Sequence, residues 1–364
     1  MKKKLWAVLP VAALCSAAFA QSSVTLFGTV DQAATYIDGA DNWSGMQSGG
    51  NRDSLIGFKG IEDLGGGLKA QFWLESGIWA DEGTGDSGLG LDFKRRATVG
   101  LLGGFGEFHM GRDETFAYRS MKGFDVFNNA GIGGTQMWSD GYAPGLSTGT
   151  YATVGDSKRK SNMLTYASPN FGGFNFGVNY GFGESADDTW KRGAYWGLGV
   201  GFNNGAWSAA LNAEQQNNTS LPNTIASNDL RERAYSAGIG YDFGRAKLST
   251  AYRQSKLRPD QGDSLKSQTY TVGLAAPVGA AGVVKASYNR YERDVIANED
   301  LKADHISLGY EHNLSKRTAV YGTYSYLKNK SSNGQNLGLS LSNQVGADAD
   351  GKQHGVQLGV RHSF

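Results

Sequence analysis

Apolar and polar side chains alternate with a period of two along most of this chain. In the clearest stretch Phe174, Phe176, Val178, Tyr180 and Phe182 alternate with Gly173, Asn175, Gly177, Asn179 and Gly181. Such spacing predicts an extended strand with one aromatic face and one small, polar face. About sixteen segments of roughly 9 to 14 residues repeat the rhythm, near the ~10-residue strands of outer-membrane barrels. A soluble sandwich would show the same alternation in any single strand, so the connections decide. Tight junctions fall at Asp63 to Gly65, Gly103-Gly104, Asn170 to Gly172, Asn203 to Gly205, Phe243 to Arg245, Pro277 to Ala281 and Asn313 to Ser315. Long polar connections cover 39–51, 80–91, 113–160, 217–229, 257–265, 295–301 and 330–351, with a shorter one between Gly183 and Arg192. Short turns at one end and long loops at the other are the polarity of a membrane barrel. Because lipid tolerates no open sheet edge, the last strand (Val356, Leu358, Val360, His362 and Phe364 on one face) must pair with the first, where Val24, Leu26, Gly28 and Val30 alternate with Thr25, Phe27, Thr29 and Asp31. The predicted fold is all-β: a closed antiparallel transmembrane β-barrel of about sixteen strands.

One stretch breaks the rhythm. From Asp113 to Lys160 neither period is sustained, and a loop of that length inside a compact domain is a functional element or a wrong assignment. It opens with Asp113, Glu114, Arg119, Lys122 and Asp125 and then runs through small residues from Asn128 to Gly134. We read it as a third loop folded into the lumen, about 113–160, narrowing a water-filled pore.

Composition adds compartment and excludes several classes. Lys2, Lys3 and Lys4 precede an apolar run from Leu5 to Leu14, and Ala18-Phe19-Ala20 gives a small-x-small pattern, so residues 1–20 read as a cleaved signal peptide. Its Cys15 follows Leu14, where a lipoprotein signal would want a small residue, so no lipid anchor is expected. The mature chain, 21–364, then holds no cysteine and can form no disulfide, although it is exported. Loss of the three lysines takes the net charge from +1 to −2, which argues against nucleic acid as a partner. No linker divides the chain, so one barrel domain is expected. After the signal peptide no apolar run approaches the ~20 residues of a spanning helix.

Six motifs, in order along the chain, carry a family resemblance: Ser22 to Gly28 (SSVTLFG), Gly57 to Phe72 (GFKGIEDLGGGLKAQF), Val99 to Arg112 (VGLLGGFGEFHMGR), Ser168 to Glu184 (SPNFGGFNFGVNYGFGE), Leu314 to Tyr326 (LSKRTAVYGTYSY) and Gly359 to Phe364 (GVRHSF). The chain closely resembles the trimeric general-diffusion porins of Gram-negative outer membranes. The resemblance implies a 16-stranded barrel assembled as a homotrimer in the outer membrane, among lipid and lipopolysaccharide, with the third loop turned inward. It also implies that Phe364 is the signal read by the barrel-assembly machinery.

In such porins a row of basic residues on the wall faces acids on the loop, and a field focused between low-dielectric walls selects ions. Matched residue by residue, Arg112 and Arg159 take two wall positions. The third position, two residues before GFKG, is Leu55 here, with Arg52 three residues upstream as a substitute. A missing arginine predicts a weaker anion preference than in relatives that keep it. On the loop, Asp125 matches the acid of the family's D-x-F stretch, and Glu114 is a further candidate. Strand parity adds Lys69 and Glu75, which share a face with Gln71 and Trp73. Arg95 and Arg96 are adjacent and would face opposite ways on a regular strand, and the family pattern favours Arg95.

Other motifs carry no chemistry. Gly145 to Gly149 matches G-x-S-x-G and Gly83 to Gly88 matches G-x-G-x-x-G, but neither has the strand and helix those sites require. The five histidines lack zinc-ligand spacing, Asp348-Ala349-Asp350-Gly351 is too sparse for a calcium loop, and Asn217-Asn218-Thr219 is a glycosylation sequon only where a host modifies it. No catalytic set, cofactor site or metal site is expected. Passive diffusion of ions and small hydrophilic solutes is the first reading. A substrate-specific porin using an aromatic track of Phe116, Tyr118, Phe124 and Phe127 is the second, and a barrel enzyme the third.

Overall fold

The computed structural model describes residues 23–86, 88, 90–138, 157–184, 193–218, 230–258, 264–294, 300–330 and 336–364. The expected signal peptide and the G-x-S-x-G stretch lie outside them. The elements are β1 (Ser23–Asp38), β2 (Asn42–Ser48), β3 (Leu55–Gly65), β4 (Leu68–Trp79), β5 (Thr84–Gly85), β6 (Arg96–Gly103) and β7 (Gly106–Glu114). A short helix α1 (Phe116–Met121) and a 3-10 turn (Lys122–Phe124) follow. Next come β8 (Arg159–Ala167), β9 (Phe174–Gly181), β10 (Tyr195–Asn203), β11 (Trp207–Asn218), β12 (Leu230–Asp242) and β13 (Lys247–Arg258). The remainder are β14 (Leu265–Val278), β15 (Gly282–Asp294), β16 (Asp300–Asn313), β17 (Thr318–Lys330) and β18 (Lys352–Ser363).

Sixteen of these segments are the staves of a closed antiparallel barrel. The other two are accessories. β2 continues the line of β3, because β1 pairs with β3 over Ser23 to Thr29 and with β2 over Gln32 to Asp38. β5 is a two-residue return onto the end of β4. Much of the connection expected at 39–51 is therefore strand. Its Trp43 packs on the cluster of Ile37, Ile132 and Leu327, and that burial draws the segment back onto β1. Closure runs from Thr29 opposite Ser363 to Asp38 opposite His354. Gly28 and Phe364 exchange both backbone hydrogen bonds at 3.1 Å, so the terminal residue is part of the seam.

Each strand turns one row outward. Val24, Leu26, Val99, Met110, Val178, Leu198, Leu211, Ile239, Val272, Leu308 and Leu358 are all exposed on that side. An apolar exterior of this extent is unfavourable in water and suited to lipid. The inward rows are polar or small: Thr29, Thr165, Asn179, Ser249, Asn289, Ser325 and Gln357 are buried there.

Burial on the inside comes from the segment after β7. Thr115 caps α1 by accepting from the Tyr118 N–H at 3.2 Å, as an N-cap threonine does. The chain then crosses the inner wall from β9 to β18. Phe116 N–H donates to Asn179 Oδ1, Ser120 Oγ to Asn212 Oδ1 at 3.0 Å, and Ser249 Oγ to the Phe124 carbonyl at 2.9 Å. Farther on, Gln136 N–H donates to Tyr291 Oη at 2.9 Å, Ile132 N–H to Gln357 Oε1 at 3.0 Å, and His305 Nε2 to the Ile132 carbonyl at 3.0 Å. Inward glycines make room for its side chains. A Cβ on Gly177 would stand 1.9 Å from the Phe116 ring, one on Gly238 2.5 Å from Phe124, and one on Gly309 2.7 Å from Phe127. These inward glycines thus form a trough for the loop's rings.

A Gly177→Val substitution fills the Phe116 seat, and overpacking of this kind costs about 1–3 kcal/mol. Since the clash is with α1 and not with the strand ladder, the barrel should still assemble while the loop becomes sensitive to protease in detergent. A loop as resistant as in the unsubstituted protein would show that Phe116 does not depend on this seat.

Candidate functional site: the charged passage

The loop leans on one half of the wall and leaves a cavity of about 700 Å³ against the other, bordered by β1, β3, β4, β6 and α1. Five basic side chains line it (Arg52, Arg95, Arg96, Arg119 and Lys122) against three acidic ones (Asp53, Glu75 and Glu114). The excess is positive.

These charges are held in a fixed array. Arg95 Nε lies 2.8 Å from Glu75 Oε1, and its Nη1 lies 2.9 Å from Asp53 Oδ2. Arg96 reaches Asp113 at 3.1 Å and stacks 4.4 Å above Trp73. Arg119 meets the same Asp113 carboxylate at 2.9 Å. Lys122 pairs with Glu114 at 2.9 Å, and Arg159 approaches that glutamate at 3.7 Å. Arg95 stands between two carboxylates, whereas Asp113 and Glu114 are each shared by two cations, so pairing orients the guanidinium groups and the array as a whole does not cancel them. Arg52 is exposed on the cavity, anchored by its backbone N–H to Asp31 Oδ2 at 2.9 Å.

Several expected residues stand elsewhere. Arg112 does not line the cavity. His109 and Asp113 fill the inward row of β7, so alternation places Arg112 in the outward row with Met110, where it donates to Ser161 Oγ at 3.0 Å and to the Lys94 carbonyl. Asp125 is 5% exposed and turned into its own loop, accepting the N–H groups of Phe127, Asn129 and Thr135 at 3.0, 2.9 and 2.8 Å. It folds the loop and offers no charge to the lumen. Lys69 shares the inward row of β4 but sits exposed beside the Gly65 to Gly67 turn, away from the cavity. Arg159 is 8% exposed beneath Glu114, behind the lining and not in it.

Arg95 and Arg96 both face inward. β6 begins only at Arg96, and Arg95, still outside the regular ladder, is free to turn toward Glu75 and Asp53. The role of Asp53 escaped sequence reading because it lies at the break between β2 and β3, where no alternation fixes a face. Arg119 and Lys122 stood out only as loop charges; their spacing three residues apart on a helical turn could have shown that they share a side.

Exchanging Arg112 for glutamine should leave ion selectivity unchanged, because a charge outside the lumen is screened within about 8 Å at physiological salt. Zero-current potentials under a salt gradient test this, and a shift as large as that from a lining arginine would return Arg112 to the passage.

A closed barrel that is apolar outside, charged within and partly filled by its own loop is a membrane channel. The Gram-negative porin family profile matches residues 7–332. Over the full length of both chains the sequence is 41% identical to outer membrane porin protein 32 of Delftia acidovorans and 31% identical to an outer membrane porin of Bordetella pertussis. Among solved structures it resembles the anion-selective porin from Comamonas acidovorans, with 40% identity, a TM-score of 0.82, and coverage of 94% of this chain and 100% of that one. The chain belongs to the Gram-negative porin family. It is an outer-membrane channel for passive diffusion.

Proposed function

We propose that this porin passes small hydrophilic solutes with a preference for anions, set where the third loop narrows the lumen against β3, β4 and β6. The observation that carries the reading is the five-to-three excess of basic over acidic side chains around the cavity. Arg52 supplies a cation on the wall that Leu55 lacks, and it acts there together with Arg95, Arg96, Arg119 and Lys122. The anion-selective Comamonas relative is in keeping with this sign. Small anions, chloride included, are the solutes favoured.

A substrate-specific channel with an aromatic track on the loop is less well supported. Phe116, Phe124 and Phe127 are 6%, 4% and 4% exposed and sit in the wall's glycine seats, so they offer no surface to a solute. The working form is a homotrimer, a state also named for one trimeric porin of the same fold. Phe364, at the seam, serves as the signal for the barrel-assembly machinery.

Bilayer recordings of the purified protein test the reading. Open conductance that rises linearly with salt, and a zero-current potential of anionic sign that fades toward 1 M salt, are expected; there the Debye length is about 3 Å. A cationic sign at low salt would refute it.

A further inference from the structure

We propose that the passage preferentially binds carboxylates that carry an apolar body, such as short-chain fatty acids and benzoate, with Leu55, Phe27 and Trp73 as the surface that distinguishes them from mineral anions. The inference rests on the anion preference proposed above and adds a solute class to it.

The cavity has two kinds of wall. Arg52, Arg95 and Arg96 bring positive charge to it, while Phe27, Leu55 and Trp73 line the same space with hydrocarbon. Cross-strand register stacks one upon the other. Leu55 stands opposite Thr29 of β1 and Gly77 of β4, Gly57 opposite Phe27 and Glu75, and Lys59 opposite Trp73. From the corner at Arg52 down β3, the wall is therefore first cationic, then apolar at Leu55, then aromatic.

The rings are held with little polar character left to show. Phe27 lies over Gly57, where a Cβ would stand 2.3 Å from its Cζ, and meets Trp73 at 5.3 Å between ring centres, edge to face. The indole N–H of Trp73 is taken by Glu75 Oε2 at 3.3 Å, and Arg96 stacks on the same ring at 4.4 Å. Lys59 Nζ lies 5.7 and 5.4 Å from the Phe27 and Trp73 ring centres. An apolar band is thus bounded by cations at both ends.

Such a band does nothing for chloride, because a mineral anion has no apolar surface to remove from water. A carboxylate with an alkyl or aryl body gains from both walls at once. Arg52 supplies the partner for its head. Among the described residues Arg95, Arg96 and Arg119 are each engaged by carboxylates, while Arg52 is exposed and forms no ion pair. The planar fork of a guanidinium matches a carboxylate in two hydrogen bonds. A cavity of about 700 Å³ with apolar lining and a few placed charges is of the size that takes small-molecule ligands. The loop's Phe116, Phe124 and Phe127, seated in the wall glycines, take no part.

The test is block of chloride current through the purified full-length channel in a planar bilayer by the sodium salts of acetate, propionate, butyrate, pentanoate and benzoate. The concentration that halves the current should fall about two- to fourfold with each added methylene, since complete burial of one methylene strengthens binding about fourfold. Butyramide, which keeps the body and lacks the charge, should not block. Leu55→Ser should weaken pentanoate block about fourfold relative to acetate block. A series independent of chain length, block by butyramide equal to that by butyrate, or a series as steep in L55S as in the unsubstituted protein would each overturn the proposal. Zero-current potentials in potassium chloride on the same membranes separate the two readings: an anionic sign with a flat series removes this proposal alone, and a cationic sign removes both. Chloride conductance reports that a variant has formed its barrel, and should L55S give no channels, L55T is measured against the same outcomes.

Discussion

Replacing Arg95 with glutamine is expected to lower the chloride-to-potassium permeability ratio about fivefold at low salt. The size follows from Coulomb's law: a unit charge ~4 Å from a passing ion is worth about 1 kcal/mol even at the dielectric constant of water, and 1.4 kcal/mol is a factor of ten. Arg95 does more than add one positive charge. It holds Asp53 at 2.9 Å and Glu75 at 2.8 Å, and its removal leaves two carboxylates facing the passage unopposed. Both consequences push the same way, toward cations. The measurement is the zero-current potential across a planar bilayer, taken at two ionic strengths. At high salt the difference between the two proteins should shrink, because screening shortens the reach of a lining charge from about 10 Å at 0.1 M to about 3 Å at 1 M. A ratio unchanged at low salt would mean that the solute path runs elsewhere, and the assignment of this cavity as the filter would fall with it.

The barrel was legible in the sequence because a period of two is imposed on every stave by the contrast between lipid and water. The arrangement inside it was legible only in part. Parity found Glu75, since β4 is regular, and the family pattern pointed to Arg95. Both tools failed where the backbone leaves the regular ladder. Arg112 shares a motif with wall arginines, yet the inward places of β7 on either side of it are already taken by His109 and Asp113. Asp53 and Arg95 belong to breaks between strands, where no rule assigns a face. Phe116, Phe124 and Phe127 looked like parts of a binding track because their partners are glycines, and a glycine in a strand gives no hint that a ring lies against it; Tyr118 packs edge-on against Trp138 instead.

Asp125 is where sequence matching and structure lead to different experiments. As a lining acid, its removal should increase anion preference and leave conductance alone. As a buried cap accepting three backbone N–H groups, its removal should loosen the loop. We expect the second. Burial raises the carboxyl's pKa, the three N–H donors offset part of that rise, and with 5% exposure the group has little field to offer the lumen. Hydrogen bonds to a charged acceptor contribute about 1.5–3 kcal/mol each, so Asp125→Ala forfeits several kcal/mol of local order around a turn in which Asn128 and Asn129 hold left-handed backbone at φ 59° and 54°. Glutamine or asparagine at this position cannot restore the cap fully, since an amide presents one acceptor oxygen where three donors converge. The expected record is larger and noisier single-channel conductance, with anion preference equal to or below that of the unsubstituted protein as Arg119 and Lys122 move with the loop. Quiet channels of unchanged size with a stronger anion preference would instead place the Asp125 charge in the solute path.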